Sequence, residues 1–263
     1  MTSDRETRLL DLCTSLKNLT DGQVGWVEKV VEQFHKPTNF IRLQTSDIVN
    51  DCFLQDFGDA LRIHHCFSKE AFTKDKFEYA LERVASLCGM DAKLAPRGNP
   101  GHDITISNTR FSLKTQADKG IKPGFLHISK FMELGKGQWG DQESDLVGLR
   151  EQFFHHMRSY DRILSLRRLE TGKDGLWRYE LVEIPKSLLE ESKNGDLKMM
   201  RETKQTGARP GYCDVFDGHG RLKFQLYFDG GTERKLQIKR LDKSYCTVHA
   251  EWIFETTDYK SIP

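Results

Sequence analysis

Long apolar runs are missing from this sequence. No 18 consecutive apolar residues occur in its 263, and 30% of residues are charged against 37% hydrophobic, so no membrane span is expected. The stretch Met1 to Glu6 lacks the apolar segment of a secretory signal, which points to a cytoplasmic protein. Cysteine pairs are missing too. The six cysteines, at 13, 52, 66, 88, 213 and 246, are scattered without a Cys-x-x-Cys, so reduced and mostly buried thiols are expected, with no disulfide frame and no zinc site. There is no P-loop. Gly135-Lys136-Gly137-Gln138-Trp139-Gly140 lacks its spacing and reads as a turn offering a minor cationic contact, so no nucleotide cofactor is expected. The neighbouring pairs His64-His65 and His155-His156 do not suit one metal ion, because adjacent side chains diverge on a strand or a helix. Leu61–Phe67 reads instead as a strand.

A large net charge is also absent, but the charges are unevenly placed. Residues 198–243 hold eleven lysines and arginines against six acids, a surplus of five. The whole chain is only +1, so the remainder carries −4. A basic segment on an acidic body suits a protein that grips phosphates in one place and binds a metal in another.

What is present is organised around residues 99–115. Ile104 and Ile106 alternate with polar residues, Asn108 marks a turn, and Phe111 and Leu113 resume the alternation, so the stretch predicts a β-hairpin with one buried face. Asp103 opens the first strand, and Ser112 and Lys114 share a face of the second. A carboxylate and an amine thus meet at one end of a small sheet. Phosphodiester cleavage needs both: an acid to hold a divalent metal, and a lysine to orient water or meet charge developing on the phosphate.

Around the hairpin, apolar spacing predicts helices over 4–18, 23–35, 68–88 (closed by Gly89) and 143–159. Residues 38–52 are ambiguous, with Ser46 or Asp47 able to cap a short helix. Phe125–Ile128 reads as a short strand and Ser129 as the cap of a brief helix. Strands are predicted at 162–169 and 176–184, with Pro185 opening a short helix. From Tyr212 an antiparallel meander follows, with strands 221–228, 233–241 and 245–254. In its middle strand Leu236, Ile238 and Leu241 face the core, while Lys235, Gln237 and Lys239 share the other face.

The runs Asn99–Ile106, Met132–Gly137, Leu181–Leu189 and Tyr227–Lys239 together resemble type II restriction endonucleases with the PD-(D/E)XK nuclease core, most closely the SmaI kind. Two departures stand out: His102 replaces the proline before Asp103, and Ser112 replaces the second acid. The resemblance implies an α/β (mixed α+β) fold, a mixed central sheet flanked by helices, with the meander at the C-terminal end. It implies one domain over 1–263: a helical part at 1–60, a nuclease core at 61–190, and a basic β-rich recognition part at 191–263. It further implies a bacterial homodimer that cuts both strands of duplex DNA with Mg²⁺, at CCCGGG and to blunt ends, leaving 5′-phosphate and 3′-hydroxyl. A monomeric nickase of the same fold and a catalytically inactive DNA-binding module are the alternatives. Asp103, Lys114 and Ser112 are the catalytic candidates. Asp103 with either Glu78 or Glu133 is the candidate metal set, since the fold often recruits an acid from elsewhere. Lys204, Arg209, Arg234, Lys235, Gln237 and Lys239 are the candidate DNA contacts.

Overall fold

A computed structural model describes residues 2–256 apart from 97, 100, 119, 136–138 and 203–207. Helices α1 (Thr2–Leu16) and α2 (Asp21–His35) open the chain. Thr20 and Gln23 close a capping box at the start of α2, each binding the other's backbone N–H. Strand β1 (Thr38–Arg42) leads to α3 (Asp51–Phe67) and α4 (Lys74–Leu87). The ambiguous 38–52 stretch is therefore strand and then loop. Asn50, not Ser46 or Asp47, caps α3 by accepting from the N–H of Phe53.

The expected strand at Leu61–Phe67 is instead the last part of α3. Leu54, Phe57, Leu61 and His65 recur at helical spacing and all are buried. The predicted 68–88 helix begins later, with Thr73 as its first flanking residue, and Gly89 ends it at φ +80°, where glycine carries no steric penalty.

Strands β2 (Ala92–Leu94), β3 (Ile104–Ile106), β4 (Thr109–Gln116) and β5 (Phe125–Glu133) follow, then α5 (Glu143–Met157), β6 (Arg162–Leu169), β7 (Leu176–Glu183), α6 (Lys186–Glu190) and β8 (Asp196–Met199). The meander is β9 (Gly211–Phe216), β10 (Leu222–Asp229) and β11 (Lys235–Asp242), after which β12 (Thr247–Glu255) ends the described chain. The hairpin forms as read: β3 and β4 join through Ser107 and Asn108, both at positive φ, the two-residue turn whose twist matches antiparallel strands. The brief helix expected after Ser129 is absent: β5 runs on to Glu133, pairing with β11 on both sides of a register shift at 129–131.

The fold is mixed α/β with two sheets. The first has seven strands in the order β1-β12-β7-β6-β4-β3-β2, mixed because β4 and β6 are parallel. The second has five antiparallel strands, β5-β11-β10-β9-β8. The C-terminal meander is thus a partial reading. Its last strand leaves the second sheet and inserts between β1 and β7 of the first. The described residues between 191 and 256 accordingly serve both sheets.

Each face of the first sheet has its own core. Helices α3 and α4 bury Phe53, Phe57, Phe77 and Leu81 against Phe111, Leu113, Tyr179 and Trp252. The other face, with α5 and the second sheet, buries Phe131, Phe153, Ile163, Phe224 and Leu236. Cys52 and Cys88 are joined by a disulfide, which corrects the expectation of six free thiols. They lie 36 residues apart without a local motif, so only the packing of α3 against α4 brings them together. No helix among the described residues is long and apolar enough to cross a membrane.

Candidate active site

Both faces of β4 are covered, which is why its polar side chains matter. Phe111 and Leu113 enter the helix-side core, so Ser112, Lys114 and Gln116 are driven into the gap beneath the second sheet. There the three hairpin residues form a line. Asp103 accepts from the backbone N–H of Leu113 at 2.6 Å and from the Ser112 hydroxyl at 3.4 Å. Lys114 Nζ donates to Ser112 Oγ at 2.9 Å. Ser112 is therefore a bridge between the acid and the amine. The Phe131 ring from β5 covers the ammonium, with its centroid 5.2 Å away. Burial pushes the Lys114 ammonium down to about 8, against the pull of Asp103.

The two sequence candidates for a second acid separate clearly. Glu78, on α4, meets Lys74 Nζ at 3.2 Å, and the same ammonium lies 2.7 Å from Asp103. Two carboxylates thus converge on one cation. Burial pushes the Glu78 carboxyl above its ordinary range, partly offset by Lys74. Lys74, despite its own burial, is held above the usual lysine value by both carboxylates. Glu133 is elsewhere: it ends β5 in the second sheet, opposite Lys235, and is exposed and paired to Lys130 at 2.8 Å. Asp103 and Glu78, with the Ser112 hydroxyl beside Asp103, offer an all-oxygen set, and such hard donors suit Mg²⁺. Among the described residues one trio of cysteine and acid ligands also gathers, Cys52, Asp56 and Cys88, but the disulfide removes both sulfurs from ligation.

Sequence reasoning missed three neighbours of this cluster. Lys74 had one signal, its i,i+4 spacing to Glu78. His156, passed over as half of an adjacent pair, faces the cluster from α5; burial, then the Lys114 charge, hold it near 4. Tyr160 is fully buried, and its hydroxyl, like His156 Nε2, has no hydrogen-bond partner among the described residues.

The candidate DNA contacts fare differently. Lys235, Gln237 and Lys239 do share the outer face of β11. Gln237 is buried there and donates to Asp229 at 2.9 Å, so its amide is already engaged. Lys239 lies 3.4 Å over the Tyr227 ring, and Lys235 sits 3.5 Å from Glu233. Arg234 stacks at 5.6 Å on Trp139. That tryptophan, part of the turn expected over 135–140 to offer a minor DNA contact, is buried and donates to the Arg209 carbonyl. Gly230 anchors the neighbouring loop: it accepts from the Ala208 N–H, and a Cβ there would meet the Ala208 carbonyl at 1.9 Å. Lys204, Lys136 and Pro100 lie outside the described residues.

Comparison with known proteins gives a coherent result. The family model described as SmaI, type II site-specific deoxyribonuclease, matches residues 12–254. The type II restriction enzyme SmaI of Serratia marcescens is 47% identical over 236 residues, covering 89% of this chain and 90% of that enzyme. No solved structure gives a significant match.

Proposed function

The chain belongs to the SmaI family of type II site-specific deoxyribonucleases, and from that premise we propose that it hydrolyses both strands of duplex DNA at CCCGGG. The products are blunt, with 5′-phosphate and 3′-hydroxyl ends, and the working form is a homodimer matching the two-fold symmetry of the site. The observation that carries the chemistry is the line from Asp103 through Ser112 to the buried Lys114, with Glu78 meeting Asp103 through the shared Lys74 ammonium.

Asp103 and Glu78 would hold a Mg²⁺ ion in place of the Lys74 ammonium that they share, and the ion would supply Lewis-acid stabilisation of charge on the phosphate. The chain's own residues do the rest. Lys114, desolvated under Phe131, orients the attacking water or meets charge developing on the phosphate, and its lowered proton affinity lets it change charge near neutral pH. Ser112 fixes the lysine relative to the acid. Glu78 beside Asp103 favours an active enzyme over an inactive DNA-binding module, because it restores the second acid that Ser112 replaces.

The direct test is to digest phage DNA with and without Mg²⁺ and to sequence the fragment ends. Ends at one GC-rich palindrome, with none formed without metal, are expected. Random ends or metal-independent cutting would refute the reading. On a supercoiled plasmid the dimer yields linear product in one encounter, whereas a nickase yields open circles. Glu78→Gln is expected to raise the Mg²⁺ concentration needed for half-maximal cleavage roughly tenfold or more, while Glu133→Gln leaves it unchanged. Direct Mn²⁺ binding should follow the same order. Lys235→Ala should weaken binding about equally on cognate and random duplexes and lower the salt slope by about 1, as a phosphate contact does.

A further inference from the structure

Where β4 ends in the first sheet and β5 forms the edge of the second, a cavity of about 630 Å³ opens. Gln116, Asp118, Lys122, His127, Lys239 and Arg240 are among its lining residues. Gln116 is two positions beyond Lys114 on the same face of β4, so the cavity adjoins the proposed catalytic line.

Arg240 is the unusual member. It sits in a bulge, where two residues of β11, 239 and 240, oppose the single residue 127 of β5. Its backbone is left-handed, at φ +53°, a conformation glycine would adopt without strain. Strain of this kind persists where the surrounding structure over-determines it, here in the bulge held opposite residue 127. Its head is exposed and has no ion-pair partner among the described residues, whereas Arg42, Arg110, Arg162, Arg167, Arg178 and Arg221 are all paired. Lys239, by contrast, is held on Tyr227.

Asp118 decides what the cavity is built for. It is exposed and likewise has no ion-pair partner among the described residues. A carboxylate repels phosphate, so a simple backbone clamp does not account for it. An arginine fork beside a carboxylate does match the major-groove edge of a guanine–cytosine pair: arginine donates to guanine O6 and N7, and aspartate accepts from the cytosine amino group. The rim is preorganised for such a task. Arg167 donates to the carbonyls of Lys122, Pro123 and Phe125, and the Lys243 N–H donates to that of Gly124.

We propose that this cavity reads one guanine–cytosine pair of the target, through Arg240 on the guanine and Asp118 on the cytosine. The assignment rests on the proposed GC-rich recognition site. The test measures binding of a CCCGGG duplex and a scrambled duplex, with Ca²⁺ replacing Mg²⁺ to hold off cleavage. 7-Deazaguanine, which lacks the N7 acceptor, is placed at each guanine in turn. Wild-type protein should lose about tenfold in affinity at one guanine. Arg240→Gly, which suits the left-handed backbone and should keep its melting temperature, should bind the unmodified site more weakly and become indifferent to deazaguanine at that same position alone. If the variant keeps the full wild-type sensitivity at every guanine, or loses affinity equally on the scrambled duplex, Arg240 is no base reader and the proposal fails. If wild-type protein does not itself prefer CCCGGG over the scrambled duplex, the GC-site reading has failed first, and the assignment falls with it.

Discussion

Replacing Lys114 by methionine is expected to leave a protein that folds and binds DNA but cuts it at least about 10³-fold more slowly. The size follows from position. Lys114 is buried under Phe131 and its ammonium reaches Ser112, which in turn meets Asp103, whereas the neighbouring Lys74 ammonium contacts Asp103 and Glu78. The stability change should run the other way. A lysine sealed from water is a strained guest, and methionine fills the same volume without a charge to desolvate. The melting temperature of the variant should therefore be equal to or above that of the parent, as expected where activity opposes stability. Asp103→Asn should match the loss of cleavage, while its remaining oxygen can still accept from Leu113 N–H. Single-turnover cleavage and calorimetry on the same samples check both halves. Near-normal cutting by either variant would remove the hairpin from the active site.

Glu180→Ala is expected to destabilise the fold by about 3–5 kcal/mol, because it strands a buried guanidinium. Glu180 and Arg167 are essentially inaccessible and lie 2.9 Å apart, and Lys243 reaches the same carboxylate at 2.9 Å. Arg167 belongs to β6 of the first sheet, whereas Lys243 follows β11 of the second, so this one acid fastens the two sheets together. Burial already pushes the Arg167 proton affinity down, yet the group stays a cation, and with Glu180 gone only neutral oxygens would face it. Glu180→Gln keeps an acceptor and should lose less. Denaturant titration reads the difference, and an alanine variant within about 1 kcal/mol of the parent would contradict this account.

The sequence was most legible where structure is local. The hairpin, helices α2 and α5 and the pair β6–β7 follow from alternation, helical spacing and turn residues within a few positions. Legibility failed where distant chain decided. Leu61–Phe67 carries too few residues to distinguish a strand from the end of a longer buried helix. Ser129 reads as a cap until β11 lies alongside, pairing with Ile128 before it and Met132 after it and holding the stretch extended. Which of Glu78 and Glu133 lies beside Asp103 depends on how α4 and β5 pack around the hairpin, a question no spacing answers. One signal was present and unused: Ile238 and Leu241 are three apart where alternation requires two, and that break of phase is the bulge that turns Arg240 outward.

The placement of β12 has a consequence for synthesis. Its ladder partners begin at residue 38 on one side and 176 on the other, so a growing chain carries both edges unsatisfied until residue 247 and beyond has emerged. Pairing over such separations is slow, and a nascent chain stalled before that point cannot complete the seven-stranded sheet. A nuclease wired in this way is assembled last-strand-last, and a host ribosome that releases a truncated copy releases an unfinished blade.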